Sequence, residues 1–168
     1  LAACLLGGVW IWAALIWMGG ASQIVDTVIA RGFPDPGDAP APAGTDGLSL
    51  VLAGLHFVLL IAGLGALSGG ELGLPAQIGL VLGLGMFFGQ VSNSNAHELI
   101  HRGSRGLFRL GAAVYVSLLF GHHTSAHRLV HHRHVATPLD PNTARLGESF
   151  WQFFPRAWIG SFRAGFAA

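Results

Sequence analysis

"AQIGLVLGLGMFFGQVSNSNAHELIH", residues 76–101, begins as an uncharged apolar run and ends in polar side chains, with no proline to interrupt it. The part from about Ala76 to Val91 suits a membrane span, since a helix rises roughly 1.5 Å per residue through an apolar slab roughly 30 Å thick. Gln90, Asn93, His97 and His101 then recur three or four apart, so on a continuing helix they share one face. A polar stripe emerging from a membrane helix faces a site or an aqueous edge. Gly79 with Gly83, and Gly85 with Gly89, are small-xxx-small pairs that predict close packing of this helix on a neighbour. Glycine is also simply frequent here, at 25 residues.

The rest of the chain agrees with a membrane setting. Charged residues make up 10% and hydrophobic ones 52%, where soluble domains carry roughly 25% charge, and the mean hydropathy is +0.56. Residues 1–19 are uncharged and long enough to span, and 21–31 read as a short amphipathic continuation. Residues 31–47, "RGFPDPGDAPAPAGTDG", form a loop rich in Pro, Gly and Asp. A second span covers about 48–67, a tight turn 68–75, and the third span 76–91. A net charge of +1, with no basic patch, excludes nucleic acid as a partner. Cys4 is the only cysteine, which excludes a disulfide framework and thiolate metal sites. Any metal must therefore sit on histidine and carboxylate.

Residues 106–121, "GLFRLGAAVYVSLLFG", are apolar but short. Crossing the membrane there would put the histidines before and after on opposite sides. A re-entrant or interfacial helix keeps them together. Arg102, Arg105, Arg109, Arg128, Arg133, Arg145 and Arg156 all follow the third span, so the positive-inside rule places the histidine region in the cytoplasm.

Two histidine sets carry the chemistry. In "HELIH", His97 and His101 stand i, i+4 on one helical face, which suits two nitrogens on one metal. Interfacial polar residues would show the same spacing. Read as HExxH, Glu98 becomes a base of a zinc protease, but that leaves the other histidines unexplained. The second set is His122, His123, His127, His131, His132 and His134. His123, His127 and His131 make one stripe on a helix, His132 lies roughly 100° around, and Pro138 closes the helix. Two adjacent imidazoles on neighbouring faces can serve two nearby metals. His56, inside the second span, reads as a helix–helix hydrogen-bond partner. Asp140 either orients a liganding histidine or is an ordinary turn residue. Glu98 either pairs with Arg102 or supports His97.

These residues resemble the integral-membrane alkane 1-monooxygenase family, within the membrane fatty-acid desaturase and hydroxylase superfamily. The resemblance rests on "NSNAHELIHR" (93–102), "HRLVHHRHVATPLDP" (127–141) and "NTARLGESFWQFFPRAWIGSF" (142–162). It is strong over about 90–162, whereas the first half matches only as apolar spans. It implies an all-α polytopic membrane helix bundle over 1–168, a single transmembrane hydroxylase domain with a histidine-ligated metal site at its cytoplasmic end. It implies two non-haem iron ions, with His97, His101, His127, His131 and His132 as ligands; Glu98 and Asp140 are the residues placed to support them. It further implies a multi-pass protein of the bacterial inner membrane. That protein would hydroxylate the terminal methyl of medium-chain alkanes with O2 and electrons from rubredoxin and rubredoxin reductase.

The chain departs from the family pattern in three ways. Ala126 stands where the family has a Glu before the second box. Ligand status is not carried onto His122, His123 or His134. The family's later EHYG-type segment and HxxHH box do not occur within the 168 residues, so the metal site is expected to be incomplete, this polypeptide inactive and its parent active. Related activities on the same scaffold are a desaturase or an aromatic-methyl or fatty-acyl hydroxylase. A non-catalytic metal- or haem-binding membrane protein is the rival from another class.

Overall fold

The computed structural model describes residues 1–32 and 45–168, and every regular element among them is helical. The chain forms two compact units, Leu1–Leu99 and Ile100–Ala168. Among the described residues, three helices are long and apolar enough to cross a membrane: α2 (Val9–Gly32), α3 (Thr45–Ser68) and α4 (Leu74–His101). A short α1, Ala2–Leu6, precedes them.

In the first unit, the uncharged run 1–19 is not one helix. Gly7 and Gly8 take φ values of 60° and 52°, a left-handed backbone open to glycine at little cost. They separate α1 from α2. Helix α2 then runs on through the amphipathic continuation to Gly32, with one wider π-turn at Trp17–Ala21. Of the 31–47 stretch, Arg31 and Gly32 close α2 and Thr45–Gly47 open α3, while 33–44 lie outside the described residues. Pro75 sits in the first turn of α4, where its missing N–H costs nothing.

The two glycine pairs of α4 behave differently. A Cβ on Gly79 would stand 3.0 Å from Ile11 Cγ2, and one on Gly83 would stand 3.8 Å from the Leu15 backbone nitrogen. This pair is what lets α2 lie close to α4, and Ala3, Ile11 and Leu80 form the core beside it. Gly85 and Gly89 face open space. On α3, a Cβ at Gly63 would overlap Leu84 Cδ1 at 2.5 Å. Asn95 Nδ2 donates to the Ser49 carbonyl at 2.9 Å and ties α4 to α3. His56 is buried edge-on to Phe57 and Phe88, with ring centroids 5.0 and 4.9 Å away. An apolar cavity of about 340 Å³ opens among these helices, lined by Ile11, Ala14, Leu59, Leu80, Gly83 and Phe87. Outward side chains such as Val51, Ile61 and Val81 are apolar, as contact with lipid requires.

The second unit holds α5 (Arg105–Ser117), a helical segment α6 over 123–134, and α7 (Phe150–Ala167). Helix α5 stops at Ser117, short of the apolar run's end at Gly121. Leu119 adopts φ 58° and the Phe120 N–H returns to the Tyr115 carbonyl at 2.8 Å, which reverses the chain. Helix α7 starts at a capping box, with Ser149 and Gln152 bonding each other's ends. Its buried residues are small, namely Ala157, Ser161 and Gly165. They let α6 approach so closely that Ser125 Oγ donates to the Gly165 carbonyl and a Cβ on Gly165 would stand 2.9 Å from Ala126 Cβ.

Candidate metal centre

Helix α6 is not a regular α-helix. Residues Ala126–His131 form a π-turn between short α-helical ends. Such a turn closes its hydrogen bonds five residues apart instead of four, and it tends to occur at functional sites. His123, His127 and His131 do form a ladder of stacked rings, with centroids 5.0 and 5.2 Å apart and planes 22° apart at each step. The π-turn adds what an α-helix would not. It swings His132 round to His127, with Nε2 atoms 2.9 Å apart. His101, at the end of α4, brings its own Nε2 to 3.1 Å from His127 Nε2, and the His101 and His132 rings lie 4.9 Å apart.

These separations fit nitrogens sharing one metal ion. Two imidazole nitrogens bound at roughly 2.1 Å and at right angles stand about 3 Å apart. Hydrogen bonding alone serves the arrangement poorly. His127 Nε2 carries either one proton or one lone pair, so it cannot make a good bond to both neighbours. A cation accepts all three lone pairs at once.

His131 faces a different partner. Its Nδ1 lies 2.8 Å from Asp140 Oδ2, and the Asp140 side chain is fully buried. Burial pushes the Asp140 carboxyl upward, but the bonds from Thr143, the Asn142 backbone and His131 together outweigh it and hold it below its ordinary value. The group is therefore a carboxylate, which only accepts. His131 must carry its proton on Nδ1, which leaves the Nε2 lone pair for another partner, as carboxylate-backed metal ligands do.

His97 precedes His101 by one turn of α4. Its Nδ1 is 4.0 Å from Glu98 Oε1, on a side chain that is 63% exposed. His122 lies among Phe120, Trp158 and Phe162, at 4.8, 6.3 and 5.1 Å. Its buried Nε2 has no hydrogen-bond partner among the described residues, and burial pushes its pKa down. His123 stacks on Phe120 at 4.7 Å.

The segment after α6 was only partly legible in the sequence. The helix ends at His134, before Pro138, because Val135 turns out to an extended ψ of 139°, and Ala136 follows at φ 63°. Thr143 Oγ1 captures the Ala136 N–H at 2.9 Å. Arg156 of α7 grips Glu148 with Nε to Oε1 at 2.7 Å and Nη2 to Oε2 at 2.6 Å. It also donates to the Pro141 and Thr143 carbonyls, each at 3.0 Å. The Arg156 guanidinium holds the Glu148 carboxyl at about 2. Thr143, Glu148 and Arg156 thus fasten the loop that carries Asp140, a role the sequence reading did not assign. The available signal was an acid and an arginine eight residues apart around a helix start.

Three converging imidazoles, with a carboxylate-backed fourth beside them on a membrane-helical chain, make a histidine-rich membrane protein with a cluster able to hold a metal. The model of the fatty acid desaturase family matches residues 72–168, and the chain belongs to that family. It is similar to alkane 1-monooxygenase 1 of Alcanivorax borkumensis, 29% identical over 92% of this chain and 39% of that protein. The alkane 1-monooxygenase of Ectopseudomonas oleovorans is 30% identical over 88% of this chain and 38% of its own length. The xylene/toluene monooxygenase hydroxylase component XylM of Pseudomonas putida is 29% identical over 92% of this chain and 42% of that protein. The chain thus spans about two fifths of the length of the curated relatives it matches.

Proposed function

We propose that this chain is part of a membrane monooxygenase that hydroxylates the terminal methyl of medium-chain alkanes. The convergence of His101, His127 and His132 within the fatty acid desaturase family carries the reading. The proposed metal ligands are His97, His101, His127, His131 and His132. Asp140 holds His131 in the required tautomer, and Glu98 stands beside His97. Two non-haem iron ions, when bound, would supply O2 activation, with further ligands from elsewhere in the full-length protein. Rubredoxin and its reductase are the proposed electron donors. The site faces the cytoplasm of a bacterial inner membrane, on the strength of the arginines that follow the third span.

The alkane offers no polar handle, so position must select the carbon that reacts. The apolar lining of the cavity beside α2 and α4 supports an oily substrate. One observation favours a second reading, hydroxylation of an aromatic methyl: the xylene/toluene relative shares the same 29% identity over 92% of this chain as the first alkane relative. The test is the full-length protein in membranes, supplied with O2, NADH, rubredoxin and its reductase. Octane should yield 1-octanol. A protein that instead converts xylene alone, or that produces an alkene, would overturn the alkane reading.

A further inference from the structure

Thr143 belongs to no histidine box, yet its hydroxyl joins two features of the metal centre. Its Oγ1 donates to Asp140 Oδ2 at 2.6 Å and accepts the Ala136 N–H at 2.9 Å. Oδ2 is the same oxygen that receives the His131 Nδ1 proton at 2.8 Å. The other oxygen, Oδ1, receives the Asn142 N–H at 3.0 Å.

The direction of this relay is forced. A backbone amide can only donate, so Ala136 occupies the acceptor side of the Thr143 hydroxyl. The single hydroxyl proton is then left for the carboxylate. With Asn142 on one oxygen and Thr143 on the other, both torsions of the Asp140 side chain are set. The remaining lone pair on Oδ2 points where His131 stands. Ala136 has a left-handed backbone at a residue with a side chain, a conformation that persists only where neighbours hold it. The same hydroxyl therefore holds the turn that follows helix α6 and aims the carboxylate behind His131.

We infer that Thr143 is a positioning residue of the metal centre: its hydroxyl fixes the Asp140 carboxylate so that His131 presents Nε2 to the metal. The inference rests on the proposal that His131 is a ligand. A residue that merely fastened the loop would change stability without changing how the metal is held.

The test uses the full-length protein, stripped of metal and titrated with Co(II), whose visible absorption reports binding. Thr143→Val keeps the shape and removes the hydroxyl, and it should weaken Co(II) binding about tenfold, in line with the usual effect of altering groups behind a ligand. Thr143→Ser keeps the hydroxyl and should bind like the wild type. Asp140→Ala should weaken binding at least as much, and adding Thr143→Val to it should cost nothing more, because the threonine acts through the aspartate. Should Thr143→Val fail to fold, Thr143→Ala carries the same expectation. Wild-type affinity in Thr143→Val, equal losses in Thr143→Ser and Thr143→Val, or effects of Thr143→Val and Asp140→Ala that multiply would each overturn the inference. A wild-type protein that takes up no Co(II) would overturn the metal reading itself, and the inference with it.

Discussion

Gly165→Ala is the smallest change that should disturb the histidine helix from a distance. An added Cβ would meet the His122 carbonyl oxygen well inside contact distance, Ala126 Cβ at 2.9 Å and the Ala126 nitrogen at 3.1 Å. Two of these three atoms are backbone, so no side chain can rotate away. Relieving the overlap means moving α6 and α7 apart, at an overpacking cost of about 1–3 kcal/mol. Against this, alanine in a helix gains about 1 kcal/mol over glycine. With two backbone atoms this close the cost lies towards the upper end of that range, so the overlap wins and the net loss should reach up to about 2 kcal/mol. The shift also pulls on the Ser125–Gly165 bond, one residue from the start of the π-turn that aligns His127 with His132. Thermal unfolding of the full-length protein in detergent, with bound iron measured in parallel, would show both effects. Gly54→Ala, at a helical glycine facing open space, is the control and should be neutral or stabilising. A Gly165→Ala protein as stable and as iron-rich as the wild type would refute this packing argument.

Other outcomes follow from the same geometry. His132→Ala should strip iron from the site, whereas His134→Ala should leave the iron content unchanged, because it is His132, of these two, whose ring nitrogen meets His127; metal analysis separates them. Asp140→Asn presents an amide that can donate towards His131, which favours the wrong imidazole tautomer, so iron affinity should fall roughly 10–100-fold. Glu148 sits at about 2 in the folded protein against an ordinary 4.5, so its stabilising contribution is complete above pH 4.5 and is lost as pH falls towards 2. Glu148→Gln should flatten that part of the stability–pH curve, and an unchanged curve would contradict the Arg156 clamp. Gly79→Leu should loosen α2 from α4, while the same change at Gly89 should be tolerated.

The membrane helices were legible because apolar length is a direct demand of the bilayer. Breaks within them were not. The end of α1 depends on the backbone of Gly7 and Gly8, and that of α5 on Leu119, a residue type with no preference for positive φ. Of the two glycine pairs on α4, only Gly79 and Gly83 meet a neighbour among the described residues, and spacing alone cannot tell which face is covered. At the site, helical periodicity anticipates the His123–His127–His131 ladder but not the pairing of His127 with His132. That pairing needs one extra residue in the turn, and sequence periodicity assumes a regular helix. "TPLDP" left Asp140 open between supporting a histidine and an ordinary turn, and it did not say which histidine; the contact with His131 is set by the bonds from Thr143 and Asn142.

We propose that these imidazoles hold iron for hydroxylation. The most direct test is to count iron in the purified full-length protein and identify the product from octane in the same preparation. Two non-haem irons per chain and 1-octanol are expected, both lost together in His127→Ala. An iron-free protein that still forms 1-octanol, or a His127→Ala variant that keeps iron and activity, would contradict it.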